Sequence, residues 1–193
     1  MHTSERTATK PMTSGRRALR WLPTFLGFPL GGLVAEHVSG PVDGLAAALL
    51  GGAITGVILG AVQSWGLGSV GASTRSWVFA TGAGLMVGLG AGAAAAGYGT
   101  TTSDLVVQGA ACGAAVGAAQ AIVLYPRLGR VALAWVPTLS ALWAIGWAIT
   151  TAAGVDVESH YPVFGASGAL VVTACTTTLP LVLNRRTSAR SAS

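Results

Sequence analysis

The frame GxxxGxxxGxxQ occurs twice in this chain, in "GGAITGVILGAVQ" at 51–63 and in "GAACGAAVGAAQ" at 109–120. The first copy carries Gly52, Gly56, Gly60 and Gln63; the second carries Gly109, Gly113, Gly117 and Gln120, 57 residues on. Helical residues four apart lie on one face, so each frame lays a smooth groove along a helix. Ala48 and Ala53, and likewise Ala110, Ala114 and Ala118, extend the small face. Such grooves suit lipid, where no hydrophobic effect drives helices together. Close backbone approach, van der Waals contact and weak Cα–H···O contacts do so instead. The frame therefore predicts helix packing through Gly52, Gly56, Gly60, Gly109, Gly113 and Gly117.

Composition agrees. Of 193 residues, 52% are hydrophobic and only 9% charged, against about 25% charged in soluble domains. Apolar segments fall at about 21–38, 43–64, 77–98, 104–125, 131–153 and 162–183, near the ~20 residues that a membrane-spanning helix needs. The first is marginal in length and contains Pro23 and Pro29. Twin arginines precede it, as in an export signal. However, its "WLPT" returns at 135–138 as "WVPT", and Trp21, Trp77 and Trp135 are each followed by glycine eleven residues later, at Gly32, Gly88 and Gly146. A signal peptide has no reason to match interior segments.

These matches predict three units, at about 21–65, 77–125 and 131–183, each a helix opened by Trp followed by a helix carrying the glycine frame. The third departs from the pattern: Gly165 and Gly168 precede a threonine-rich end (Thr173, Thr176, Thr177, Thr178), and there is no Gln. Two spans per unit keep all three in the same orientation, as in parallel repeats about an axis along the membrane normal. The expected fold is an all-α integral membrane protein of six transmembrane helices, built as three parallel helical-hairpin repeats with glycine-zipper packing. Residues 1–20 and 184–193, polar and basic, read as disordered cytoplasmic tails.

Charge sets the orientation. With six spans and the N-terminus inside, all eleven basic residues fall on the cytoplasmic side and five of the six acids on the outer side. This is the positive-inside asymmetry, and it predicts a multi-pass protein of the inner or plasma membrane with both termini cytoplasmic. The net charge of +5 forms no basic stripe with aromatic platforms, which argues against nucleic acid. Cys112 and Cys175, both within apolar segments, read as small buried residues rather than a disulfide or metal pair.

The polar residues within this frame are few. Gln63 and Gln120 sit near the cytoplasmic helix ends, where an amide bonds across helices or forms a polar gate to a vestibule. Asp43 and Asp104 precede glycine-frame helices and are expected to cap them. Glu36, His37, Asp156, Glu158 and His160 fall in outer loops and form a weak candidate cation or pH site. Trp21, Trp65, Trp77 and Trp135 lie where interfacial anchors do; Trp143 and Trp147 lie deeper, where helix or lipid contact or a ligand pocket would use them.

No charge falls at mid-membrane depth, which disfavours an ion-driven pump. No HExxH, GxSxG or P-loop is present, so no enzyme, metal or cofactor is expected. The leading functional expectation is a facilitative small-solute permease or channel-like protein. Its alternative is a non-transporting structural or accessory protein that docks partner helices or lipids through Gly/Ala faces. The expected partners are the bilayer and, through those faces, a second copy or a partner membrane protein.

Overall fold

A computed structural model describes residues 13–70, 72–155 and 163–190. Within them every regular element is helical: α1 (Ser14–Trp21), α2 (Gly27–Ser39), α3 (Leu45–Leu67), α4 (Thr74–Ala95), α5 (Thr102–Leu128), α6 (Trp135–Ala152), α7 (Ala166–Thr176) and α8 (Thr178–Arg190). Short 3-10 stretches at Leu22–Leu26 and Gly129–Ala134 run between α1 and α2 and between α5 and α6. Five helical stretches are long and apolar enough to cross a membrane. The longest, Thr102–Ala152, has 51 residues and folds back on itself. Gly129 ends α5 at φ +60°, a left-handed conformation that disfavours a side chain, and α6 returns antiparallel beside α5.

The helices pack in chain order, and small residues set the contacts. A Cβ built on Gly56 would stand 2.7 Å from the Thr81 carbonyl oxygen and 2.8 Å from the Gly82 Cα. Gly52 faces Leu85 and Met86, and Gly60 faces Val78, so α3 and α4 run antiparallel at backbone contact. In the same way Gly109, Gly113 and Gly117 face Trp143, Leu139 and Val136 of α6. A second set joins α4 to α5: Gly84 on Val116, Gly88 on Cys112 and Gly92 on Gln108. Gly27 and Gly31 set α2 on Leu59 and Thr55 of α3, and Gly168 of α7 meets the Gly146 carbonyl of α6. Finally α7 contacts α2 and the Leu22–Leu26 stretch, which closes the ring.

The inside of the ring is apolar. Phe28, Leu59, Leu85, Leu89, Val116, Trp143, Trp147, Phe164 and Val172 form one cluster, and Trp21, Trp77, Leu124, Leu128, Leu179 and Leu183 form a second. The outer surface is also apolar, with Phe79 77% and Ile122 75% exposed.

Several expectations are corrected. Ser14–Arg20, assigned from composition to a disordered tail, are helical, and α8 continues through Arg190. Gly32 departs from its repeat counterpart Gly88, which meets the next helix: it faces Val163, and the neighbouring Gly31 meets α3. The five-residue 3-10 stretch after Trp21 explains the shift. Each of its residues turns ~120° rather than ~100°, so the face arrives about one residue early. Asp43 caps nothing: the N-cap of α3 is Gly44, without a side-chain bond. Asp104 does cap α5, in a reciprocal box with Thr101. Cys112 is buried as expected, but Cys175 is exposed on α7.

Leucine at Gly56 or Gly113 is expected to abolish the folded protein, because backbone rather than a movable side chain occupies the space. Gly15→Leu, with nothing within 4 Å, should leave it intact. The yield of monodisperse protein in mild detergent and its thermal unfolding measure the difference.

Candidate functional site: a polar ring at the basic end

Because α3–α4, α4–α5 and α5–α6 are antiparallel, Trp21, Gln63, Trp77, Gln120, Trp135 and Thr176 share one end of the ring. Every arginine whose side chain is described (Arg16, Arg17, Arg20, Arg75, Arg127, Arg130, Arg185, Arg186) lies at that end, and Glu36, Asp43 and Asp104 lie at the other.

Three indoles organise the site. Trp77 Nε1 donates to Gln63 Oε1 at 3.2 Å, and Trp135 Nε1 to Gln120 Oε1 at 2.8 Å. Trp21 Nε1 donates to Thr176 Oγ1 at 3.2 Å and to the Thr173 carbonyl at 3.1 Å. Each indole thus reaches the C-terminal part of the helix before it around the ring: α3, α5 and α7. The two amides are joined, with Gln120 Nε2 donating to Gln63 Oε1 at 3.3 Å and to Thr81 Oγ1 at 2.9 Å. Thr81 Oγ1 in turn donates to the Trp77 carbonyl at 2.9 Å. Gln120 is 1% exposed, so burial without these partners would cost about 1–3 kcal/mol per stranded group.

The ring surrounds a cavity of about 10 Å³, room for one water molecule at most. Leu139, Val116 and Val172 wall it, with Phe28 and Trp143. Next to these, Phe28 and Phe164 lie with ring centroids 4.8 Å apart, and Trp143 meets Phe164 edge-on at 5.5 Å. Water-sized space therefore meets amides and hydroxyls on one side and an aromatic plug on the other.

The structure brings together Gln63 and Gln120, and it sets all six frame glycines at buried helix contacts. The proposed outer cation site lies only in part within the described residues. Glu36 is half-buried and His37 exposed near the end of α2, while Asp156, Glu158 and His160 lie outside the described residues. Among the described residues no group of three His, Cys, Asp or Glu side chains could hold a metal.

The anchoring role expected of the tryptophans is corrected. Trp21 and Trp77 are each 1% exposed and Trp135 is half-buried; Trp65 alone of the four is exposed. Their indole N–H groups find acceptors inside, so they have no need of the interface. Trp143 and Trp147 are each 2% exposed, held in helix contacts within the aromatic plug.

Sequence reasoning missed Thr81, and it noted Thr173 and Thr176 without giving them a role. A signal for two of them existed. Gly165, Ala169, Thr173 and Thr176 keep the 4-4-3 spacing of the glycine frame, with Thr176 in the place of Gln.

Gln120→Leu is expected to destabilise by about 2 kcal/mol, since it strands Trp135 Nε1 and removes three bonds, and Gln63→Leu by about 1 kcal/mol. The double variant should lose less than the sum of the two, because they share a bond. Thermal unfolding of the four proteins in one detergent reads this directly. Comparison of the chain with protein families, with curated proteins and with solved structures finds no match.

Proposed function

We propose that this chain is a non-transporting structural or accessory membrane protein: a sealed six-span bundle of three hairpin repeats with its basic end in the cytoplasm. The repeat reading is supported by equivalent contacts at equivalent positions. Gly31, Gly88 and Gly146 meet Thr55, Cys112 and Gly168, each three residues after the first glycine of a frame, and three indoles bond three frame helices. The sixth span comes from the fold-back at Gly129, which divides the 51-residue stretch into α5 and α6. Segregation of arginines from carboxylates supports the orientation.

One observation carries the functional reading: the central cavity holds at most one water and ends on Phe28 and Trp143. A solute path needs a wider or polar lumen, and the helix seams that would have to part for one are held at backbone contact. The frame glycines are occupied within the chain, so a partner helix would dock on another face. Lipid contact at the basic end is then the reading of the accessory role that we favour.

A second reading has its own support. The amide and hydroxyl lining of the cavity suits a facilitative permease or channel-like protein for a small uncharged solute, seen with its gate shut at Gln63 and Gln120. Proteoliposomes decide between them. The first reading expects permeability to water, glycerol and urea indistinguishable from that of protein-free vesicles; flux that Gln120→Leu alters would replace it with the second.

Orientation has a separate check. In a cysteine-free background, Ser103→Cys should react with an impermeant maleimide on intact cells, and Ser76→Cys only after permeabilisation.

A further inference from the structure

Arg17 is 7% exposed, which is unusual for a charge with no opposite charge nearby among the described residues. It sits on α1, which packs against α3 and α8. Arg20 follows one turn later, with its guanidinium carbon 5.1 Å from the Trp65 ring centroid and one nitrogen against Gly68. The Nε of both arginines is buried without a hydrogen-bond partner among the described residues. The described carboxylates lie at the opposite end of the bundle. Two guanidinium groups are therefore held by packing and a cation–π contact, each with its Nε unspent and no countercharge among the described residues.

We infer that Arg17 and Arg20 form a binding site for the phosphate of an anionic membrane phospholipid. Guanidinium matches phosphate oxygens with paired donors, and an anion there would relieve the repulsion between the two cations. A lipid, rather than a free anion, fits the surroundings. Arg185 and Arg186 on α8 are exposed at the same end. The same helix helps wall an apolar groove of about 180 Å³ between Leu128, Val131, Ala132, Leu179 and Val182, a surface compatible with acyl chain. The inference rests on the proposed placement of the basic end at the membrane surface.

The test is native mass spectrometry of the full chain in mild detergent, with added phosphatidylglycerol or phosphatidylcholine. Retention of phosphatidylglycerol over phosphatidylcholine is expected, and it should persist against excess inorganic phosphate. Arg17→Gln or Arg20→Gln should cut that retention about fivefold each, the loss of ~1 kcal/mol per cation at a membrane surface. Arg130→Gln, on an exposed turn, and Glu5→Gln should leave it unchanged.

Equal retention of the two lipids overturns the site, and this comparison needs no variant. Displacement by inorganic phosphate makes it a free-anion site and overturns the lipid assignment. A gain on Glu5→Gln would mean that the chain's own carboxylate occupies the arginines, and would also overturn it. Arg17→Lys guards against misfolding: a folded lysine variant that retains lipid as well as wild type would refute paired-donor recognition. Failure of the membrane placement itself shows elsewhere, as release of the protein from membranes by alkaline carbonate.

Discussion

Backbone-to-backbone approach of the helices is the constraint from which the rest of this structure follows. At Gly56 and Gly88 even one added carbon would lie within 3 Å of a neighbouring helix. At such distances dispersion and Cα–H···O contacts act along the whole seam. Each helix also needs two packed faces, because it has a neighbour on either side in the ring, and glycines on one side of a seam are enough to bring the backbones together. In α3 the frame glycines face α4, while Thr55 and Leu59, three residues after Gly52 and Gly56, face α2.

Seams of glycine and alanine are smooth, so they say little about register. The polar ring supplies it. An indole bonded to an amide in a buried setting fixes one helix against the next along both its axis and its rotation, and sliding by one turn would strand both groups. Trp77 and Trp135 lock α4 to α3 and α6 to α5 in this way. Trp21 does the same for the ring closure, using a hydroxyl and a carbonyl of α7 in place of an amide. The Gln120–Gln63 bond ties the first two locks together, so the basic end of the bundle behaves as one hydrogen-bonded unit.

How far this was legible from residues alone depends on what each signal needs. The glycine spacing required only helical periodicity; the six glycines that it picks out lie at helix contacts, and so do Gly84, Gly88 and Gly92 outside the frame. The position of Thr176 could have been found by counting, but a change from Gln to Thr hides equivalence when letters are compared rather than donors and acceptors. Burial of Trp21 and Trp77 could not be read from position near a helix end, since an interfacial anchor and an inward donor occupy the same place in the chain. The displacement of the α2 contact from Gly32 to Gly31 required knowledge that Leu22–Leu26 winds as a 3-10 helix. Pro23 hints at an irregularity there without specifying its turn angle.

By itself the sequence determined what depends on local periodicity and composition: helices throughout the described residues, five stretches apolar enough for a membrane, small faces at four-residue spacing, and basic and acidic residues allotted to opposite ends. Only the tertiary structure decided which acceptor each indole meets, that α7 returns to the first helix, and that the centre closes on Phe28, Trp143 and Phe164. The physical reason is range. Helix formation and hydropathy are summed over neighbours in the chain, whereas the closure joins Trp21 to Thr176 across 155 residues, a pairing that exists only when every seam between them has been packed.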